Sequence, residues 1–214
     1  MGLRARALGV RDQGVHQHPD GLGRAGQNRR GQGVTTSTRR VTLSTERLLL
    51  EPVNTSHAEG IHAAVVASRP ELLPWMPWAR EPSLPGALAA AERGKKAWKN
   101  DEVFHFAVVD KRSRDVLGIA GLNREGPDAA ELHYWIRSDR AGRGLTTEAC
   151  RALIAWARDE LRVSRLTLWA GRENKGSRRV AEKVGFAHLG PLGWRPEGGL
   201  GVFDAESYEL RFSS

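Results

Sequence analysis

Hydrophobic and polar positions repeat with two different periods along this chain, and the switches between them outline an ordered domain. Arg47-Leu48-Leu49-Leu50-Glu51-Pro52-Val53 reads as a strand ended by Pro52. Ser56 stands where it can cap a helix to about residue 68, with Ile61, Val65 and Val66 inward. Leu72 to Trp78 is apolar but broken by Pro74 and Pro77. A second helix is expected from about Pro85, which suits a first turn, to Trp98. Residues 103–110, 116–124 and 131–137 form three consecutive strands, joined at 111–115 and 125–129 by short polar connections of hairpin type. Helical spacing then takes over in Leu145, Ala149, Ala152, Leu153, Trp156, Ala157 and Leu161. A strand at 165–170, a helix from about 175 to 184 stopped by Gly185, and short strands near 186–189 and 203–211 complete the pattern. The fold class this predicts is α/β, a mixed and mostly antiparallel sheet flanked by helices.

Residues 1–40 break the pattern. They hold no aromatic residue, no apolar period and eight of the 24 glycines. Such a segment cannot bury enough apolar surface to offset its ordering entropy, so residues 1–44 read as a disordered basic tail and 45–214 as one folded domain. The tail also changes the meaning of the charge. Eight arginines against Asp12 and Asp20 give +6 of the chain's +8, leaving +2 for the rest, so nucleic-acid binding is expected only through the tail. Gly21 to Gly26 matches a dinucleotide-binding glycine pattern, but neither a strand before it nor a helix after it supports the match. No run of 18 apolar residues predicts a membrane span, and the start lacks a secretory apolar run. The single Cys150 excludes an internal disulfide and a cysteine-based zinc site. The expectation is a cytoplasmic protein that uses no metal and has no membrane partner.

The sharpest chemistry lies at Arg140-Ala141-Gly142-Arg143-Gly144-Leu145-Thr146-Thr147-Glu148. A strand leads in through Trp135, Ile136 and Arg137, and an amphipathic helix leads out. Gly142 and Gly144 permit a tight turn. The amides of residues 142–147 would then point outward at a helix start, where they lack helical partners and share the positive end of the dipole. That is a site for a pyrophosphate, with Arg143 placed to meet the anion. The alternative is an ordinary strand-turn-helix connection. No Gly-Lys-Ser/Thr follows, so it is not a Walker loop.

With these residues in view, the chain resembles the GNAT superfamily of N-acetyltransferases, whose (Arg/Gln)-x-x-Gly-x-(Gly/Ala) loop binds the coenzyme A pyrophosphate. Gly144 matches the required glycine, while Ala141 and Thr146 stand at the flanking positions and Arg140 falls one residue early. Thr45 to Leu50, Leu73 to Trp78, Glu131 to Ile136 and Asn174 to Phe186 occur in the order of the ribosomal-protein N-terminal (Rim-type) branch, so the likeness spans about 45–212.

The resemblance implies an acetyl-CoA-dependent transfer to a primary amine, with no covalent enzyme intermediate. The acceptor is either a protein N-terminus, such as a ribosomal one, or a small molecule. An antibiotic- or polyamine-type enzyme and a non-catalytic acyl-CoA sensor are the alternatives. The sheet should splay between its fourth and fifth strands, with the pantetheine arm held by backbone at Trp135, Ile136 and Arg137 and an amide there facing the oxyanion. Gly142, Arg143, Gly144, Leu145, Thr146, Thr147 and Asn174 would complete the cofactor site. Glu131 matches the family's general base. His133, on the same strand face, is either a second base or a packing residue that narrows the pocket. Ser177 could protonate the departing thiolate, the alternative for Asn174 and Ser177 being helix capping. Trp75 and Trp78 would wall the acceptor, and Tyr208, grouped with them on the substrate side, could donate a proton or sit in the core or on a sheet face. Cys150 reads as a small buried residue.

Overall fold

The computed structural model describes residues 40–192 and 204–212. The strands there are β1 Leu43–Ser44, β2 Leu48–Pro52, β3 Val103–Asp110, β4 Val116–Arg124, β5 Ala129–Ile136, β6 Arg165–Gly171, β7 Ala187–Pro191 and β8 Ala205–Arg211. They make one sheet in the order β1-β2-β3-β4-β5-β6-β8-β7. Every neighbouring pair is antiparallel except β5 and β6. The helices are α1 Ala58–Ala67, α2 Arg69–Leu72, α3 Leu84–Lys99, α4 Leu145–Asp159 and α5 Lys175–Lys183.

Period-two alternation sends the two sides of β5 into different cores. Ala130 and Leu132 join Leu145, Ala149, Leu153 and Trp156 of α4, with Ala181 of α5, in the larger core. Trp135 joins Ile61 and Val65 of α1, with Val53, Ala107 and Val109, in the smaller one. The sheet is therefore sandwiched, with α4 and α5 on one face and α1 on the other.

The parallel pair is short. β5 and β6 are in register only at Ala129↔Arg165, Ala130↔Leu166 and Glu131↔Thr167. Beyond Glu131, β5 continues against β4 as far as Ile136↔Gly118. β6 continues against β8 as far as Gly171↔Ala205. A notch therefore opens between them. It is the splay between the fourth and fifth strands that the resemblance implied, renumbered by the added β1.

Several expectations shift. Order begins before Thr45: Leu43 pairs with Leu50, and Ser44 with Leu49. Arg40 donates from Nη2 to the Val53 carbonyl at 2.7 Å and lies over the Trp98 ring at 5.0 Å. The boundary placed at 44/45 thus cuts through packed chain. The cap of the first helical segment is Asn54 rather than Ser56. Its Oδ1 accepts from the Ser56 amide at 2.8 Å, and a 3-10 turn Thr55–His57 precedes α1. The rest of the expected tail, the glycine pattern at 21–26 and Phe203 lie outside the described residues. No helix among the described residues is long and apolar enough to cross a membrane.

Candidate active site

The notch exposes one set of backbone groups. The Arg137 amide donates to the Leu117 carbonyl at 2.7 Å, so it is turned toward β4. In an antiparallel ladder the direction alternates, so the Trp135 and His133 amides share that orientation. Those of Tyr134 and Ile136 face the other way, into the notch, beyond the last β5–β6 pair at Glu131↔Thr167. Of the residues expected to offer backbone contacts, Trp135, Ile136 and Arg137, only Ile136 turns its amide into the notch. The Arg137 amide is already taken as a donor, and the Arg137 side chain is forked onto Asp139 with two bonds of 3.0 Å.

The glycine loop sits at the open end of the notch. Gly142 (φ 74) and Gly144 (φ 79) both adopt the left-handed region that a side chain disfavours. Gly144 is the N-cap of α4, with no side-chain cap bond. Among the described residues nothing accepts from the amides of residues 142–147. Leu145 and Thr147 are buried, anchoring the loop, while Arg143 is exposed and Thr146 partly so. Sequence reasoning missed what braces this turn. Glu148 accepts from the Arg47 amide at 2.8 Å, from Arg47 Nε at 2.7 Å and from Thr45 Oγ1 at 2.6 Å. Arg47 Nη1 also donates to the Arg143 carbonyl at 3.1 Å. Burial alone would raise the Glu148 pKa, but the Thr45 and Arg47 bonds outweigh it and hold it low.

Glu131, His133 and Trp135 share one face of β5, as alternation requires. Glu131 Oε2 accepts weakly from Asn123 Nδ2 at 3.5 Å. Trp78, half exposed, lies 6.0 Å from the Trp135 ring, and Trp75 is partly exposed in the same Pro-broken segment. His133 is different. Its two ring nitrogens are sealed from solvent and have no hydrogen-bond partner. Its ring meets His105 edge-on at 4.9 Å, above Gly121, where a Cβ would fall 2.7 Å from His133 Nε2. A base must reach the proton it removes, so this geometry favours packing over the base alternative for His133.

Burial pushes the His133 pKa down to about 3, with His105 adding to the effect, and burial pushes His105 down to about 4. Both folded values lie below the unfolded value of about 6.5, so the fold holds neutral rings. Their stabilisation is fully present above about pH 6.5 and is lost as pH falls toward about 4 and then 3. Each ring contributes about 1.4 kcal/mol per pH unit in that window, or about 2 kcal/mol by pH 5. Thermal melts should therefore fall between pH 7 and 5, and His133→Leu should flatten the slope. A His133→Leu variant with the wild-type slope would refute this account.

On the opposite face, Asn174 caps α5: its Oδ1 accepts from the Ser177 amide at 3.0 Å. Capping therefore occupies that oxygen. The Tyr134 hydroxyl lies 3.1 Å from Ser177 Oγ and 3.0 Å from the Ser177 carbonyl, a contact the sequence analysis did not foresee. For Tyr208 the structure favours the core alternative. It is fully buried, and its hydroxyl accepts from Arg178 Nε at 2.9 Å, so it is a core residue. Cys150 is fully buried and burial raises its thiol pKa, which fits the packing role.

Comparison with known proteins gives these features a family context. The family described as acetyltransferase (GNAT) domain matches residues 47–187. The Bacillus subtilis (strain 168) protein YdaF is 43% identical over 61 residues, 28% of this chain, and the match spans only 33% of YdaF. The [ribosomal protein uS5]-alanine N-acetyltransferase of Escherichia coli (strain K12) is 25% identical over 163 residues, covering 74% of this chain and 84% of that protein. Among solved structures, the ribosomal L7/L12 α-N-protein acetyltransferase RimL in complex with coenzyme A superposes with a TM-score of 0.72. That match is 18% identical and covers 80% of this chain and 98% of the other, a likeness of fold.

Proposed function

As the chain belongs to the GNAT acetyltransferase family, we propose that it transfers acetyl from acetyl-CoA directly to a primary amine, with a protein N-terminal α-amine as the acceptor. The observation that carries this is the joining of two features. The notch past Glu131 and Thr167 offers strand-like backbone to a pantetheine arm, and it ends at the Gly142–Gly144 turn, whose amides have no acceptor among the described residues. Amide donors of Tyr134 or Ile136 face the oxyanion as the amine attacks. Cys150 is too deeply buried to act as an acyl carrier, which supports direct transfer.

The acceptor class rests on two supports. An α-amine has a pKa of about 7.7–8.0 against about 10.4 for lysine, so a single weak base such as Glu131 suffices near neutral pH. The relative from Escherichia coli is named for acetylating a ribosomal-protein alanine. Trp78 and Trp135 then wall the side from which a peptide would approach Glu131. The buried free cysteine suits a reducing cytoplasm.

The test is turnover. Purified chain with acetyl-CoA is offered peptides with a free N-terminus, N-blocked peptides carrying lysine, and small polyamines or aminoglycosides. Thiol release is followed, and mass spectrometry locates the acetyl group. Transfer to the N-terminus is expected. Binding of acetyl-CoA without turnover on any amine would sink the enzyme reading in favour of a sensor, and turnover confined to small amines would sink the acceptor class.

A further inference from the structure

The inward face of β5 and the first turn of α5 bring together two hydroxyls 43 residues apart in sequence. The Tyr134 oxygen has one proton to donate and two candidate acceptors, the Ser177 carbonyl at 3.0 Å and Ser177 Oγ at 3.1 Å. The choice decides where the serine proton goes. If Tyr134 donates to the carbonyl, its oxygen can only accept from Ser177 Oγ, and the serine proton is spent on the tyrosine. If Tyr134 donates to Ser177 Oγ, the serine proton is released to another acceptor. Asn174 Oδ1 holds the Ser177 amide, which keeps the backbone of this turn in place. Burial raises the Tyr134 pKa, with Cys150 adding to it, so the phenol stays a neutral donor throughout the working range.

We propose that Tyr134 is a positioning residue for acetyl transfer, its hydroxyl turning the Ser177 proton toward the sulfur that leaves. This rests on the acetyl-transfer reading above. When the tetrahedral intermediate collapses, the carbon–sulfur bond breaks and its electron pair goes to sulfur. The developing thiolate accepts a hydrogen bond from the Ser177 hydroxyl, and the serine oxygen accepts one from the Tyr134 hydroxyl, each bond strengthening the next while both protons stay on their own oxygens. Neither hydroxyl has to ionise, because a thiol of pKa about 8.5 is a far stronger acid than an alcohol. Sulfur takes its proton from water, which balances the one the amine gave up.

A double-mutant cycle separates this role from packing. Tyr134→Phe keeps the ring and removes only the donor, so kcat should fall about tenfold while KM for acetyl-CoA holds within about twofold. Ser177→Ala should show a similar loss. In the Ser177→Ala background, Tyr134→Phe should cost nothing further. Acetyl thioesters of more acidic thiols should recover both variants, because their thiolates leave without help. An equal kcat penalty for Tyr134→Phe with and without Ser177 would make the tyrosine merely structural and overturn the proposal, as would a Tyr134→Phe variant with full kcat. A wild-type chain that binds acetyl-CoA but acetylates no amine would overturn the transfer reading itself, and this inference with it.

Discussion

A carboxylate at position 144 should remove the rise in melting temperature that acetyl-CoA produces, while an amide there should preserve most of it. A ligand at about 100 times its Kd adds about 2.7 kcal/mol, worth about 5–10 °C in a chain of this size. Gly144 has φ 79, which Asp and Asn tolerate better than most residues, so the two variants carry similar backbone strain. The space is there too: a Cβ would meet only Arg47 Nη2, at 3.6 Å. The variants differ in charge. At an effective dielectric of about 20, a carboxylate about 6 Å from a bound pyrophosphate costs about 3 kcal/mol per charge, roughly 10²-fold in affinity. It would also compete with Glu148 for Arg47, loosening the brace on the Arg143 carbonyl. Gly144→Asn controls for shape and strain. Equal shifts in the two variants would remove the pyrophosphate from this turn.

Much of this site was legible in the sequence because it is local. Residues 142–147 announce themselves by two glycines between a strand and an amphipathic helix. The bounds of β3 and β4 follow from alternation and short polar turns. The face shared by Glu131, His133 and Trp135 is a consequence of period two. What the sequence hid is long-range. The Arg47–Glu148 brace joins residues 101 apart, and neither residue stands out among the chain's many charges. The His105–His133 contact needs the register that puts both opposite Gly121, whose missing Cβ lets the rings meet.

Tyr134 was overlooked for a different reason. Alternation places it opposite Glu131, away from the face on which a base was sought. Its partner lies 43 residues away on α5, a distance that alternation along one strand does not span. Tyr208 was left between the site and the core because its position on the last strand says nothing of depth. Its ring joins the larger core beneath α5, whose Arg178 donates to the hydroxyl. The packing of Arg40 was hidden by composition: its anchor is a guanidinium over Trp98, which no hydrophobic period records.

Glu131→Gln should lower kcat by about 10²–10⁴, the usual contribution of a positioned general base. The substitution keeps shape and can still meet Asn123, so the strand pairing of Asn123 with Glu131 need not change. The rise in melting temperature with acetyl-CoA should persist, because the Gly142–Gly144 amides lie at the other end of the notch. Raising the pH from 7 to 9 takes an α-amine of pKa about 7.7–8.0 from mostly charged to mostly neutral and should recover about tenfold of the loss. Ser177→Ala should recover less, since high pH does not replace the hydrogen bond that the serine donates to the departing sulfur. His133→Leu is the discriminating companion. With both nitrogens sealed against His105 and Gly121, it should keep near-normal kcat. If His133→Leu loses activity and Glu131→Gln does not, the base is the other residue on this strand face, and the ring must turn outward when substrate binds. If both variants keep full kcat, the amine arrives already neutral and the notch accelerates transfer by holding the two reactants together.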